Sequence, residues 1–199
     1  MGVKNRIKEI LKLKIFPMRN GSYAQGYMFD YIIKYFKKIE YHPKYFITSH
    51  QDIILLSKSF FGDLKEKFNN KTCAVGVLKQ KNYSKEFDIL HAVCCMWDYK
   101  YIIKSKYGFK PQMPRFDVGE KIIKEFTDKG YNINSLSNSY NDDSINNKIA
   151  HKYRSVGDGV DIAINSNLEV VFMHLGRGVI KSEGNYNNIN KTNVQEWMD

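Results

Sequence analysis

The tetrapeptide Ser49-His50-Gln51-Asp52 separates two apolar groups, residues 45–48 and 53–56. An imidazole and a carboxylate two residues apart, where a core strand surfaces, cost free energy unless they bind something. A hard divalent cation such as Mg²⁺ takes a carboxylate together with water and substrate phosphate. His50 beside Asp52 shifts that preference towards Mn²⁺, because imidazole suits later ions. The same residues also read as a turn with a capping aspartate.

Two more groups carry possible chemistry. Phe116-Asp117-Val118-Gly119-Glu120 follows Pro111 and Pro114 and opens a helical pattern. Asp117 with Glu120 three residues on is close to a capping box. Asp117 also reads as a general base facing a cleft, with Glu120 in reserve, and the two readings are compatible. Met173-His174-Leu175-Gly176-Arg177-Gly178 ends the last apolar run. Its glycines let backbone approach an anion, and Arg177 is suited to clamp phosphate. His91, Cys94, Cys95 and Trp97 have too few ligands at the wrong spacing for zinc and read as structural.

These groups need elements to hold them. Residues 45–48 read as a buried strand. A helix is expected from Ser59 to about Asn69-Asn70, then a strand over 72–77. Residues 3–13 and 23–38 show helical periodicity, the second with Tyr27, Tyr31, Ile32, Tyr35 and Phe36 on one side. Residues 14–18 read as a short strand ended by Pro17 and the turn signal Asn20-Gly21. Residues 87–97 are β-prone, 98–106 look helical, and 118–129 form an amphipathic helix closed by Gly130. A short strand covers 131–136, and 170–175 is the last strand. The alternation predicts an α/β fold with a mixed, mostly parallel central sheet flanked by helices. The polar stretch 132–147, with Asp142 and Asp143, is expected to be largely an exposed loop.

A net charge of +10 favours anionic partners, whether phosphates, nucleic acid or an acidic membrane face. Lysines are spread along the chain rather than set in a stripe, and no common nucleic-acid motif occurs. No apolar run approaches the roughly 18 residues of a membrane span, and the N-terminus is too charged for a secretory signal. The three cysteines make no disulfide framework, which suggests a reducing, cytoplasmic setting.

In this order the segments resemble a family 2 glycosyltransferase with the GT-A fold. "MRNGSYAQGYMFDYIIKY" is similar to the segment and helix that precede the metal motif there. "YFITSHQDIILLSKSFFGDLKEKFNNKTCAVG" resembles its strand, DxD-type motif, helix and next strand, with His50 at the first Asp position and Asp52 at the second. "HAVCCMWDYKYI" resembles the acceptor-side strand, "RFDVGEKIIKEFTDKGYNI" the D-x-G segment whose acid serves the acceptor, and "VVFMHLGRGV" the H-x-G-R motif. The resemblance runs over about residues 14–182.

It implies a metal-dependent transfer of sugar from a nucleotide-sugar donor to a hydroxyl of a glycan, lipid-linked or protein acceptor. Asp52, His50 and His174 would hold Mn²⁺ or Mg²⁺. Asp117, backed by Glu120, would be the base. Asn20, Gly21, Trp97, Gly119 and Arg177 would contact substrates. The domain would cover residues 1–183, with a helix over 1–13, and 184–199 would be a polar tail. The strand-helix-strand start of the family is short here. Either the chain is a minimal enzyme, or a truncated or decayed copy, or a homo-oligomer or second chain supplies nucleotide-binding elements. The setting expected is cytoplasmic, with the inner membrane face as an alternative. A non-catalytic binding module and a basic nucleic-acid-associated protein are the competing expectations.

Overall fold

Among the described residues the chain orders four helices and seven strands. They are α1 (Gly21–Lys38), β1 (Tyr45–Ser49), β2 (Ile53–Leu55), α2 (Phe60–Lys65), β3 (Thr72–Val77), β4 (Cys94–Asp98), α3 (Tyr99–Ile102), α4 (Glu120–Asp128), β5 (Asn132–Asn138), β6 (Val160–Ile164) and β7 (Val170–Leu175). The computed structural model describes residues 21–50, 52–79, 88–113, 115–139, 142, 144–145 and 160–175. The helix expected over 1–13, the strand over 14–18 and the tail from 184 lie outside them, as do Asn20, Arg177 and Asp143.

The strands form one mixed sheet in the order β1-β4-β3-β5-β6-β7-β2. Only β3 against β5 is parallel, and the other five pairings are antiparallel. The mostly parallel sheet expected from the sequence is thereby corrected. The reason is connection length, since a parallel pair needs a crossover of a dozen or more residues. β6 instead turns directly into β7, where Leu168 N–H donates to the Asn165 carbonyl at 3.1 Å.

The order has a geometric consequence. β1 and β2 lie at opposite ends of it, yet Ser49 and Ile53 are four residues apart. Four residues reach at most about 14 Å, whereas the outer strands of seven laid flat would stand roughly 29 Å apart. The sheet must therefore curl until its two edges meet. β5 shows the matching bend opposite, pairing β3 with its first residues and β6 with Ser137 and Asn138. The first motif, around His50 and Asp52, sits where the curl closes.

Strand alternation divides the core. Cys95 and Trp97 face a cluster with Phe29 and Ile33 of α1 and Ile122, Ile123 and Phe126 of α4. Cys94 and Met96 face the other side, with Phe60 and Leu64 of α2, Val75, Val77 and Phe172. Each such aliphatic or aromatic side chain contributes about 1.5–3 kcal/mol when fully buried.

Several local expectations change. α1 buries Gly26, Phe29 and Ile33, while Tyr27 and Tyr31 are exposed. Gly26 sets that face, because a Cβ there would lie 2.8 Å from the Phe109 carbonyl oxygen. β1, expected to be buried, is an edge strand in which only Phe46 and Thr48 are buried. α2 ends at Lys65 and α3 at Ile102, both shorter than their patterns suggested. The short strand expected over 131–136 is β5, which runs on to Asn138, into the stretch expected to loop. Its polar side chains are absorbed locally, with the Asn134 amide donating to the Thr72 hydroxyl at 3.0 Å.

Candidate metal and acid-base site

His50 follows β1 directly, and its N–H donates to the Val93 carbonyl at 2.8 Å, which continues the β1-β4 ladder. His174 is the fifth residue of β7 and lies opposite Ile53 on one side and Asp161 of β6 on the other. Closure of the sheet thus brings the end of β1, the start of β2 and the end of β7 together. One ligand atom from each of His50, Asp52 and His174 lies within 4.8 Å of the others. Asp52 Oδ1 is 3.8 Å from His50 Nδ1 and 3.4 Å from His174 Nε2. Two imidazoles and a carboxylate in that spacing form a donor set for a divalent ion.

Charge supports the grouping. Burial pulls the His50 imidazole below its ordinary pKa, His174 adds to this, and Asp52 and Asp117 oppose it. Burial also works against a charged His174, but Asp161 and Asp52 outweigh it and raise the pKa. Burial alone would push Asp52 up, yet the bond to His174 and its charge hold it below its ordinary value. A pair of carboxylates thus flanks a histidine that is 4% exposed.

His91, which the sequence reading set aside as structural, faces this cluster. Its ring centre is 5.9 Å from that of His50 and 6.0 Å from that of His174. Its Nδ1 accepts the Val93 N–H at 3.1 Å, so the neutral ring carries its proton on Nε2. That tautomer makes Nε2 a donor rather than a cation ligand. Burial, with Lys79 next, lowers the His91 pKa to about 3. Cys94 is a buried thiol pushed up to about 12 by burial, and Cys95 is likewise raised.

Asp117 and Glu120 form the second part. The reach-back half of the capping box is present: Glu120 Oε2 accepts the Asp117 N–H at 2.8 Å. The helix cap itself is Gly119, with φ 75°, and not Asp117. A Cβ at Gly119 would lie 3.1 Å from the Trp97 ring, so that backbone needs glycine for space as well as for its dihedral. Lys79, just beyond β3, reaches both acids. Its Nζ is 2.5 Å from Glu120 Oε1 and 3.5 Å from Asp117 Oδ2. Glu120 therefore has both oxygens engaged, and its role is to position Lys79 and the Asp117 backbone rather than to act as a base.

Asp117 keeps 31% of its side chain exposed. Burial raises its pKa, but the Val118 N–H, the Lys79 charge and a hydrogen bond from Ser22 of α1 together bring it below the ordinary value. It is ionised at neutral pH and able to accept a proton. The bond from Ser22 sets the start of α1, where Gly21 begins the helix, beside Asp117.

Trp97, expected to contact substrate, is instead core: it is 3% exposed and its indole N–H donates to the Thr48 hydroxyl at 3.0 Å. Asp142, in the stretch expected to be a loop, accepts the Ser144 N–H at 2.9 Å. Lys79 and Asp161 were missed. Asp161 left a faint signal, an acid inside the apolar run Val160–Ile164, where the period of two decides which face it takes. Among the described residues no helix is long and apolar enough to cross a membrane. Comparison with protein-family models, curated proteins and solved structures finds no match to this chain.

Proposed function

We propose that this protein is a metal-dependent glycosyltransferase that moves a sugar from a nucleotide-sugar donor to a hydroxyl acceptor. The observation that carries the reading is the convergence of His50, Asp52 and His174 within 4.8 Å, with Asp117 near enough to act on the His50 charge. The antiparallel majority of the sheet is unlike the parallel core implied by the GT-A resemblance, so the reading rests on the site rather than the fold.

His50, Asp52 and His174 would hold Mn²⁺ or Mg²⁺, which supplies positive charge to a leaving diphosphate. Asp117 takes the proton of the acceptor hydroxyl as the new bond to the anomeric carbon forms. The bond from that carbon to the diphosphate oxygen breaks, and its electron pair leaves with the diphosphate. Lys79 limits the basicity of Asp117 and keeps it ionised before the acceptor arrives. Arg177 remains a candidate for the diphosphate, and Asn20 and Gly21 for the substrates. A membrane-peripheral, cytoplasmic protein working with a second copy or chain is part of the same proposal.

Calorimetry with a panel of nucleoside diphosphate sugars in Mn²⁺, paired with a sugar-release assay, tests this reading. Binding should require the ion. Asp117→Asn should retain binding and lose transfer. Binding without turnover in the native chain would favour the non-catalytic module, a reading that the low Asp117 pKa supports. No ion-dependent binding of any sugar nucleotide sinks the proposal.

A further inference from the structure

We propose that Asp161 is a positioning residue that fixes the ring orientation and tautomer of His174 for cation binding. The inference rests on the reading of His50, Asp52 and His174 as a cation site.

The register of the sheet supplies the first argument. Asp161 and His174 are direct cross-strand partners in the β6-β7 ladder, so their side chains emerge on the same face. The distances supply the second. Asp161 Oδ2 lies 3.6 Å from His174 Nδ1, while Asp52 Oδ1 lies 3.4 Å from His174 Nε2. Each ring nitrogen therefore has its own carboxylate.

The chemistry of imidazole then separates the two acids. A neutral ring has one N–H and one lone pair. Asp161 is an acceptor, so the N–H belongs on Nδ1 and the lone pair on Nε2. That lone pair faces Asp52 Oδ1, which is also an acceptor. Two acceptors at that separation repel unless a positive species lies between them: a proton on His174 or a cation held by both. Asp161 favours the second state as well as the first, because it holds Nδ1–H while Nε2 turns to the ion. A carboxylate behind a ligating histidine in this way orients the ring and raises its basicity as a ligand. His50, by contrast, turns its Nδ1 towards Asp52 itself, at 3.8 Å.

Cobalt titration of the full chain, followed by visible absorption, tests the assignment. Asp161→Ala should weaken Co²⁺ binding by about 10–100-fold and alter the absorption band. Asp161→Asn should recover most of the affinity, since its amide oxygen still accepts the Nδ1–H. Nitrogen-15 histidine spectra of the native chain with Zn²⁺ give a readout that needs no variant. They should show His174 protonated on Nδ1 with Nε2 shifted by the metal. Unchanged Co²⁺ affinity in a folded Asp161→Ala chain, or a zinc-loaded His174 protonated on Nε2, overturns the proposal. Loss of binding in Asp52→Ala alongside unchanged binding in Asp161→Ala overturns this inference alone. A native chain that binds neither ion overturns the cation site as well.

Discussion

The two acidic clusters of this molecule are built on opposite principles. Around Asp52, acceptors converge: a carboxylate and two imidazole rings meet at the closure of the sheet. Around Glu120, opposite charges pair: Lys79 lies against Glu120 and Asp117, and Glu120 also takes a backbone N–H. The first arrangement has the donor set that the cation proposed above would use. The second already contains its cation. The lesson is that a carboxylate in a cleft is not a reactive group by default. Asp117 retains exposure, so it is the member of the second cluster with capacity for chemistry.

The sharpest way to break this comparison is to remove the internal partner. Glu120→Ala would leave the Lys79 ammonium, 14% exposed, without its main counter-charge. A loss of about 3–5 kcal/mol is expected on breaking a buried pair from one side. Urea unfolding measures it, and Lys79→Met on the same background should recover much of the loss. A cost under about 1 kcal/mol would place the pair among surface ion pairs.

Asp52→Ala should behave in the opposite sense. Cation affinity is expected to fall about 100-fold, roughly 2.7 kcal/mol, with a smaller loss of stability in chelator than Glu120→Ala shows, because Asp52 is also held below its ordinary value by His174. Calorimetry with Mn²⁺ and a chelated thermal melt check the two halves. A large stability loss with unchanged Mn²⁺ affinity would make both clusters structural.

The backbone beneath the second cluster gives the next effect. Gly119→Ala places a Cβ at φ 75° and 3.1 Å from Trp97. A cost of about 1–3 kcal/mol is expected, together with displacement of Asp117. Tryptophan fluorescence during urea unfolding measures the cost, with Trp97 and Trp197 both contributing to the signal. Unchanged stability would show that Gly119 has no packing role.

The smallest effect concerns pH. Asp117 is held below its ordinary pKa of 3.8, because the Val118 N–H, Lys79 and Ser22 outweigh burial. A carboxylate lowered in the folded state stabilises the fold above 3.8 and loses that contribution as pH falls through its folded value. Asp117→Asn should therefore be less stable than the native chain by about 1 kcal/mol near neutrality. The gap should close as pH drops below 3.8. Equal gaps in urea melts at both ends of that range would remove Asp117 from the charge network.

Local pattern alone determined several things about this protein. Thr72–Val77 and Val170–Leu175 are strands where their apolar, β-branched runs begin and end. Gly130 follows α4 with φ 79°, the left-handed residue that a helix end favours. His50, Asp52 and His174 stand out because polar side chains interrupt apolar runs, and a desolvated polar group carries its cost in any fold. Tertiary structure alone decided strand direction, the closure of the sheet, the recruitment of His91, Lys79 and Asp161, and the burial of Trp97. Pairing between strands distant in the chain depends on connection length and register, which no local window contains. Lys79 meets Glu120 across 41 residues, and only the folded sheet brings that ammonium and that carboxylate within reach of each other.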